Sequence, residues 1–393
     1  MTTFQKVKIK DLLEKVKGQK KVPKGDYLPN GRYKIIDQGE GLVNGYTNEE
    51  SLLYKGPMPV IIFGDHTCRL KFIKSPFCLG ADGTQLMFTK KINQTYFYYA
   101  LKSLNFKISA YQRHYKLIKE KSILYPENKE TQNHIVSVLS SYDDLIENNE
   151  KRIKTLEEMA QLLYTEWFVK FKFPGHEKVK IIDSGTEYGK IPHGWDVKKL
   201  SEVASFVRGC SYSSEEINDY VGDYYIVNLK SFNRGGGFRF DGAKYYSGKT
   251  KDNQILKAGD IVVAVTDMTN DRAVIARPAR VPELTGNITL SADVVKINSD
   301  ILPSSFIYEL LSSYRFTETT KQKANGANVL HLKPAAILEF IALIPDAKSL
   351  KAFDIYCKPT INEVDKLLKQ NDVLIKTRDL LIPQLVTGKR ELK

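Results

Sequence analysis

The sequence contains 393 residues, of which 42% are hydrophobic. This is enough material for two hydrophobic cores, since domains commonly contain about 100 to 200 residues. No hydrophobic run approaches the ~18 residues that a membrane helix needs, and no hydrophobic signal core follows Lys6, Lys8 and Lys10. These features argue against a membrane helix and a secretion signal, and we expect a cytoplasmic protein.

The sequence is basic, and the excess is concentrated in its first third. In total, 59 lysines and arginines against 46 aspartates and glutamates give a formal net charge of +13. Residues 1–126 contain 22 basic and 10 acidic residues, whereas residues 191–345 contain 18 and 17. A surface that binds a polyanion is the natural interpretation, because phosphate neutralisation supplies most nonspecific affinity for nucleic acids. The alternative is a basic surface that serves only solubility.

Residues 1–126 predict a first globular unit of mixed, mostly β structure. The segment "PVIIFG" at 59–64 has the β-branched composition of a short strand. The segment "VNGY" at 43–46 is a hairpin signal. We expect an α+β fold here rather than alternating β and α elements.

A long helix is predicted over residues 127–173. Its hydrophobic residues alternate at spacings of four and three, as in the seam of a coiled coil. The seam residues are Ile135, Leu139, Tyr142, Ile146, Asn149, Ile153, Leu156, Ala160, Leu163 and Trp167. Charged residues, Glu157 and Glu158 among them, fill the outer positions, which we expect to face water. Pro174 ends the helix and opens a linker over residues 174–194.

A second globular unit is predicted over residues 195–345, followed by a second long helix over residues 346–388 and a tail over residues 389–393. The strands "DIVVAV" and "DVVKIN" and the helix "SSFIYELLSSYRF" again indicate an α+β unit. The seam of the second long helix consists of Val364, Leu367, Asn371, Leu374, Arg378 and Leu381, widened by Ile361, Leu368, Ile375 and Ile382. Pro383 is expected to end this helix.

Asn149 and Asn371 both fall in these seams. A buried amide in a seam costs stability but fixes the register and orientation of the helices. We therefore predict an antiparallel coiled coil of the two long helices, with one globular unit at each end. Two unrelated helices within one core are the alternative.

The two globular units carry the same landmarks in the same order, which indicates a duplication. The matched landmarks, with the offset in residue number, are Phe4 with Trp195 (191), "YKIID" at 33–37 with "YYIVN" at 224–228 (191), Gly64 with Gly259 (195), Phe97 with Phe306 (209), "LGAD" at 79–82 with "LSAD" at 290–293 (211), Leu162 with Leu380 (218) and Pro126 with Pro345 (219). Along the chain the offset grows from 191 to about 219 with small reversals at Phe97 and Leu162, as expected if the second copy has insertions in its loops. The duplication predicts two pseudo-symmetric units.

No catalytic or metal-binding motif is present. The segment "SGKT" at 247–250 lacks the earlier glycine of a phosphate-binding loop, because Ala243 stands in its place. Neither a dinucleotide fingerprint nor the D/N-P-P-Y/F tetrapeptide of amino-methyltransferases is present. The four cysteines form no C-x-x-C pair. We therefore predict no metal site and reduced thiols.

Three segments carry a resemblance to a known family. They are "ENNEKRIKTLEEMAQLLYTEWFVKFKFPG" at 147–175, "IPHGWDVKKLSEV" at 191–203 and "LIKTRDLLIPQLVTG" at 374–388. Together with the two-unit organisation, they resemble the specificity subunits of type I restriction-modification systems. The resemblance implies two target-recognition domains held apart by an antiparallel pair of long helices.

The family resemblance also implies a function and partners. Each recognition domain is expected to bind one half of a bipartite target in double-stranded DNA, and the helix pair to set the spacer between the halves. The implied partners are two methyltransferase (modification) subunits and two restriction (translocase and nuclease) subunits. S-adenosylmethionine, ATP and magnesium are expected in those partners, so we expect no cofactor in this chain.

Loop residues beside the strands are the candidates for DNA contacts, since Arg and Lys bind guanine or phosphate and Asn and Gln bind adenine. In the first unit they are Lys20, Lys21 and Lys24 for phosphates and His66, Thr67, Arg69 and Lys71. In the second unit they are Asn233, Arg234, Arg239, Thr269, Asn270, Arg272, Asn325 and Asn328. For each of them, a solvated loop residue is the alternative.

Trp167 and Phe168 are residue types that anchor protein interfaces. They are predicted either to contact the methyltransferase partner or to belong to the core of a globular unit. At the level of the whole chain, a two-headed interaction scaffold without DNA binding is the alternative function. A self-sufficient DNA-modifying or ATP-using enzyme is the third, and the missing motifs argue against it.

Overall fold

The structure is a computed structural model that describes residues 3–16, 20–81, 83–104, 106, 113–218, 221–240, 242, 244–268, 272–284, 286–326 and 329–392. The chain forms two compact units. Unit 1 consists of Met1–Ile146 and Val373–Lys393, and unit 2 consists of Glu147–Asp372. Each unit contains a globular part and a segment of each long helix.

Unit 1 combines short sheets with helices. Its strands are β1 (Phe4–Lys8), β2 (Tyr33–Ile36), β3 (Gly45–Thr47), β4 (Val60–Gly64), β5 (Leu70–Ile73), β6 (Cys78–Leu79), β7 (Thr84–Met87) and β8 (Ser122–Pro126). Its short helices are α1 (Ile9–Leu12), α2 (Gln94–Lys102) and α3 (Tyr115–Glu120). Strand β1 pairs antiparallel with β8, and further sheets have the orders β3-β2-β6 and β5-β4-β7.

Strand β4 is apolar throughout because both of its faces are covered. Ile61 and Phe63 belong to a core that also contains α2 residues and residues of both long helices. Val60 and Ile62 alternate with them and belong to a separate core around Phe77. Side chains of successive strand residues point to opposite faces, so a strand between two cores needs a continuous apolar run. The burial of both faces explains why "PVIIFG" at 59–64 is apolar without interruption.

Unit 2 is larger and repeats this plan. Its strands are β9 (Ile181–Asp183), β10 (Lys190–Pro192), β11 (Asp196–Lys199), β12 (Ser205–Arg208), β13 (Ile217–Asn218), β14 (Tyr224–Val227), β15 (Tyr245–Tyr246), β16 (Ile261–Ala264), β17 (Thr266–Asp267), β18 (Pro278–Arg280), β19 (Asn287–Leu290), β20 (Val294–Asn298), β21 (Leu330–His331) and β22 (Ile341–Ile344). Its short helices are α5 (Ser304–Ser312), α6 (Tyr314–Lys321) and α7 (Ala335–Leu338). The larger sheets have the orders β12-β20-β16-β18 and β13-β15-β14-β19. The predicted α+β class is confirmed in both units.

The two units share the register of their β-ladders. The equivalent pairs are Lys8–Ser122 and Lys199–Ile341 in the antiparallel ladders of β1 with β8 and β11 with β22, and Ile35–Cys78 and Ile226–Thr289 in the parallel ladders of β2 with β6 and β14 with β19. The residue numbers of these pairs differ by 191 and 219 in the first ladder and by 191 and 211 in the second. These are the offsets of the sequence landmarks, so the predicted duplication is confirmed.

The landmark that aligns Gly64 with Gly259 is wrong. Gly64 is the last residue of β4, whereas Gly259 precedes β16. The backbone N–H of Asp65 donates to Gly83, and the equivalent bond runs from Val265 to Asp293. Gly64 therefore corresponds to the residue before Val265. The Gly-Asp dipeptide marks a turn in both units, but it follows the strand in one and precedes it in the other.

The long helices are α4 (Lys129–Tyr164), which continues as a π-helical turn over Thr165–Val169, and α8 (Ala347–Val386). All predicted seam residues of both helices are buried or half-buried. Within unit 2, Asn149 donates to Asn371 and Arg152 donates to Glu363. The residue number rises along one helix as it falls along the other, so the two segments run antiparallel in this unit.

The prediction that Pro383 ends the second helix is wrong. Helix α8 includes Pro383 and continues to Val386. A proline inside a helix removes one backbone hydrogen bond and crowds the preceding turn. Here Pro383 is exposed to solvent, and the hydroxyl of Thr387 donates to its carbonyl at 2.6 Å. The last turn therefore tolerates the proline.

Candidate nucleic-acid interface

In unit 1, the turn between β4 and β5 packs against the loop that follows β2. The backbone N–H of His66 donates to Gln38 Oε1 at 3.0 Å, and Thr67 Oγ1 donates to the Gln38 carbonyl at 2.9 Å. The guanidinium of Arg69 lies 3.6 Å from the carboxylate of Glu40. Three of the predicted contact residues, His66, Thr67 and Arg69, are thus held on one surface with the loop that contains Gln38.

The predicted phosphate contacts lie beside the same loops. Lys20 and Lys24 are exposed, and Lys21 donates to the carbonyl of Thr84 at 2.8 Å. A Cβ atom on Gly83 would lie 2.5 Å from Gln38 Nε2. We call the segments 20–24, 37–44, 65–69, 80–81 and 83–84 loop cluster 1. Lys20, Lys24 and Arg69 of this cluster are exposed, and their contact with DNA stays a prediction.

The prediction of a DNA contact for Lys71 does not fit its position. Lys71 is 7% exposed, and its ammonium group donates to the Gly41 carbonyl at 2.5 Å and to Asn44 Oδ1 at 2.8 Å. Burial lowers the pKa of Lys71 to about 8. Lys71 therefore anchors the loop between β2 and β3 from inside. Its position in a strand, with alternate residues facing inward, is the physical reason.

In unit 2, the predicted residues lie on three segments that meet at the loop between β17 and β18. The backbone N–H of Gly235 donates to the Ala273 carbonyl at 2.9 Å, which joins this loop to the glycine-rich segment 233–239. Arg272 Nη1 donates to the Lys321 carbonyl at 3.3 Å, which joins it to the end of α6. Asn325 follows there and is exposed. We call the segments 233–239, 272–277 and 321–326 loop cluster 2.

The glycine-rich segment is a compact turn. Gly235, Gly236 and Gly237 all have positive φ angles, which a side chain would strain. Asn233 is exposed, and its amide donates to the Phe238 carbonyl at 3.1 Å. The turn therefore presents the first residues of the segment to solvent. Arg234 there is exposed as well, whereas Arg239 on the far side is half-buried.

Three predicted contacts, Thr269, Asn270 and Asn328, lie outside the described residues. Asn325 is held by two backbone hydrogen bonds with His331 at 3.0 and 2.8 Å. Its side-chain amide donates to the Lys323 carbonyl at 3.3 Å. The side-chain oxygen of Asn325 could contact a base while the side-chain nitrogen keeps its bond to Lys323.

Sequence reasoning missed the loop between β2 and β3 as part of the site in unit 1. It identified the loop after β14 in unit 2, and the shared ladder register makes these two loops equivalent. The offset of 191 between "YKIID" and "YYIVN" was the available signal. Gln38 and Asn44 are the amide side chains in the missed loop. The unpredicted Gln38 is bonded to His66 and Thr67 of segment 65–69 and lies against Gly83.

Trp167 and Phe168 are buried, at 5% and 4% exposure. The Phe168 ring lies 4.8 Å from Phe353 and 5.7 Å from Trp195, within the core of unit 2. The assignment of Trp167 and Phe168 to a partner interface therefore does not fit, and the alternative of a core position does. Both residues lie in the π-helical turn over Thr165–Val169.

Asn149 and Asn371 lie in the helix seam of unit 2, as predicted. They are 1% and 7% exposed, and Asn149 Nδ2 donates to Asn371 Oδ1 at 2.8 Å. Asn149 also donates to Gln370 Oε1 at 3.2 Å. A role in fixing helix register stays a prediction.

Among the described residues, no group of three or more His, Cys, Asp and Glu side chains is arranged to hold a metal ion. In the same part of the chain, no helix has a stretch long and apolar enough to cross a membrane.

Comparison with known proteins finds related chains. The profile of a family described as "Type I restriction modification DNA specificity domain" matches residues 1–158. The chain is 28% identical to the type I restriction enzyme MjaIX specificity subunit of Methanocaldococcus jannaschii, over 69% of this chain and 61% of that protein. It is 22% identical to the MjaVIII specificity subunit of the same organism, over 99% of this chain and 93% of that protein. The chain thus spans less than two thirds of the first relative and most of the second.

A solved structure of a type I restriction-modification S subunit from M. genitalium is also similar. The comparison covers 100% of this chain and 97% of that one, with 16% sequence identity and a TM-score of 0.49.

Proposed function

We infer that this chain belongs to the family of specificity subunits of type I restriction-modification systems, and we propose that it is the sequence-specific DNA-recognition subunit of such a complex. It has no catalytic role of its own in this proposal. Unit 1 recognises one half of a bipartite target in double-stranded DNA, and unit 2 recognises the other half. The two long helices carry the recognition units and set the spacer.

The observation that carries this proposal is the shared register of the two units. Equivalent strands end at equivalent loops, since β2 and β14 lead into segments 37–44 and 233–239. Predicted contact residues lie on segment 65–69 in unit 1, which packs against segment 37–44, and on segments 233–239 and 272–277 in unit 2. Two copies of one recognition fold with different loop residues suit a target of two unlike half-sites. Arg69 and Arg272 offer guanidinium groups for guanine, and Asn233 and Asn325 offer amides for adenine.

Partner binding is proposed for exposed apolar residues of the long helices. Leu162 in unit 2 is 58% exposed and Leu380 in unit 1 is 67% exposed. Their numbers differ by 218, the offset of the helix repeat. Met159 and Val169 extend the exposed stripe of Leu162 by three and seven residues. Equivalent exposed leucines in the two units suit two identical partners, and we assign Leu162 and Leu380 to contacts with two methyltransferase subunits.

The remaining components follow from this assignment. Two restriction subunits, with translocase and nuclease activity, join the methyltransferase subunits in the proposed complex. S-adenosylmethionine, ATP and magnesium bind to those partners, and the complex works in the cytoplasm. This chain supplies recognition and assembly.

The test of the proposed function is binding of labelled DNA by the chain together with its methyltransferase partner, over a range of salt concentrations. Each neutralised phosphate contributes about −0.9 to the slope of log K against log salt, so a steep slope and a preference for one sequence are expected. Arg69→Gln should reduce discrimination within one half-site. Lys74→Gln, an exposed lysine paired with Asp144, is the matched control. A flat salt response without sequence preference contradicts the proposal.

A further inference from the structure

Glu157 does not face water as its outer seam position predicts. It is half-buried and lines a small cavity of about 30 Å³ in unit 2, together with Phe238, Arg280 and Tyr308. A Cβ atom on Gly237 would lie 3.6 Å from Glu157 Oε1. The glycine-rich segment of loop cluster 2 therefore rests directly on the carboxyl group of Glu157.

Within the described part of the chain, the carboxyl group of Glu157 has no hydrogen-bond or ion-pair partner that would offset its burial. The neighbouring Arg280 is paired with Asp365 of α8 instead. A charged carboxylate in such a place is unfavourable, because burial removes its hydration and no partner replaces it. The neutral acid fits the site better.

We propose that Glu157 is a positioning residue for DNA recognition by unit 2: its neutral carboxyl group lets the glycine-rich segment 233–239 pack against α4 and present Asn233 and Arg234. Ionisation of Glu157 weakens this packing and loosens the segment. Recognition of the half-site bound by unit 2 therefore declines when Glu157 is charged. This inference rests on the proposed function.

The surroundings place the transition near neutral pH. Burial raises the pKa of Glu157 to about 7. The charged and titratable groups that face it are Tyr308 and Glu309 of α5, Arg280 of β18 and Asp365 of α8. Burial also raises the pKa of Glu309 to about 8, so Glu309 must be separated from Glu157 by its own variant. Gln161 donates to Glu309 Oε2 at 2.8 Å.

The experiment uses the full chain in complex with its methyltransferase partner and three duplexes. One duplex carries the motif that methylation sequencing identifies, and each of the others has one half-site scrambled. Discrimination against each scrambled half is measured from pH 6 to pH 8.5 for the wild type, Glu157→Gln, Glu309→Gln and the control Glu158→Gln. Glutamine keeps the shape of the neutral acid, and Glu158 is an exposed neighbour on the same helix.

The expected result is specific to one half-site. For the wild type and Glu158→Gln, discrimination at that half-site falls about tenfold as the pH rises through 7, a typical size for a coupling between sites. For Glu157→Gln it stays constant across the range, and Glu309→Gln retains the decline. Discrimination at the other half-site is the same in all four proteins.

Two failures are distinguishable. If the wild type and Glu157→Gln discriminate between duplexes with the same pH profile, the inference about Glu157 is overturned and the proposed function stands. If no protein discriminates between the duplexes at any pH, the proposed function itself is overturned.

Discussion

The contact between Asn149 and Asn371 makes a quantitative prediction about the helix pair in unit 2. Both amides are buried, and they are joined by a hydrogen bond of 2.8 Å. Replacing either one by leucine removes a partner from a buried polar group, which costs about 1–3 kcal/mol. Replacing both removes the two polar groups together, and the free energy change should be close to zero or favourable.

In Asn371→Leu, Asn149 keeps its bond to Gln370 at 3.2 Å. In Asn149→Leu, Asn371 loses the hydrogen bond that Asn149 donates to it. The coupling energy from the double-mutant cycle should be about 1–3 kcal/mol, within the range for residues in direct contact.

Amide hydrogen exchange is the suitable assay, because a chain of two units does not unfold in one step. The measured quantity is the free energy of local opening for α4 amides that follow Asn149. Each single variant should speed exchange of these amides, by about 5- to 150-fold for 1–3 kcal/mol. The double variant should return to within a few-fold of the wild type. Asn148→Leu places the same substitution at an exposed neighbour and serves as the control.

Additive effects would refute this reasoning. If the double variant exchanges as fast as the product of the two single effects predicts, the amides are not energetically coupled. If the single variants exchange like the wild type, the seam does not depend on this pair at all.

Three other outcomes are expected. Lys71→Met should remove the anchor of the loop between β2 and β3 and speed proteolysis within residues 37–44. It should also reduce discrimination at one half-site more than tenfold. Unchanged proteolysis would contradict the anchoring role of Lys71. Because the pKa of Glu309 is raised to about 8, its neutral form stabilises unit 2, and this stability is fully present below pH 4.5 and lost as the pH rises through 8. Glu309→Gln should flatten that part of the melting temperature profile, and an unchanged profile would argue against the assignment. Leu162→Ser and Leu380→Ser should each weaken methyltransferase binding at one of two sites. The mass of the purified complex measures how many methyltransferase subunits remain bound. If both variants keep two methyltransferase subunits, the contact lies elsewhere.

The sequence predicted the parts of the fold that depend on local pattern and repetition. The offsets between Phe4 and Trp195 and between Pro126 and Pro345 describe the observed pairing of β1 with β8 and of β11 with β22. The alternating seam spacing identified helix residues that are all buried or half-buried. Both signals arise from periodic backbone geometry, which is written directly in the residue order.

The remaining features depend on which surfaces cover each other. Glu157 occupies an outer seam position, but it lines a cavity with residues that are distant in sequence, such as Phe238 and Tyr308. Trp167 is a residue type that anchors interfaces, but it packs in the core of unit 2. Lys71 has the charge of a DNA contact, but strand alternation places it inward. A single sequence contains no local signal for such tertiary contacts.

The most direct test of the central claim is sequencing of modified bases in DNA from cells that express this chain with its methyltransferase partner. The proposed function predicts methylated adenines within a single motif of two short half-sites around a spacer of fixed length. Exchange of residues 1–126 for the equivalent segment of another specificity subunit should alter one half-site and leave the other half unchanged. Absence of any modified motif, although the partners are expressed and assembled with this chain, would contradict a role in DNA recognition.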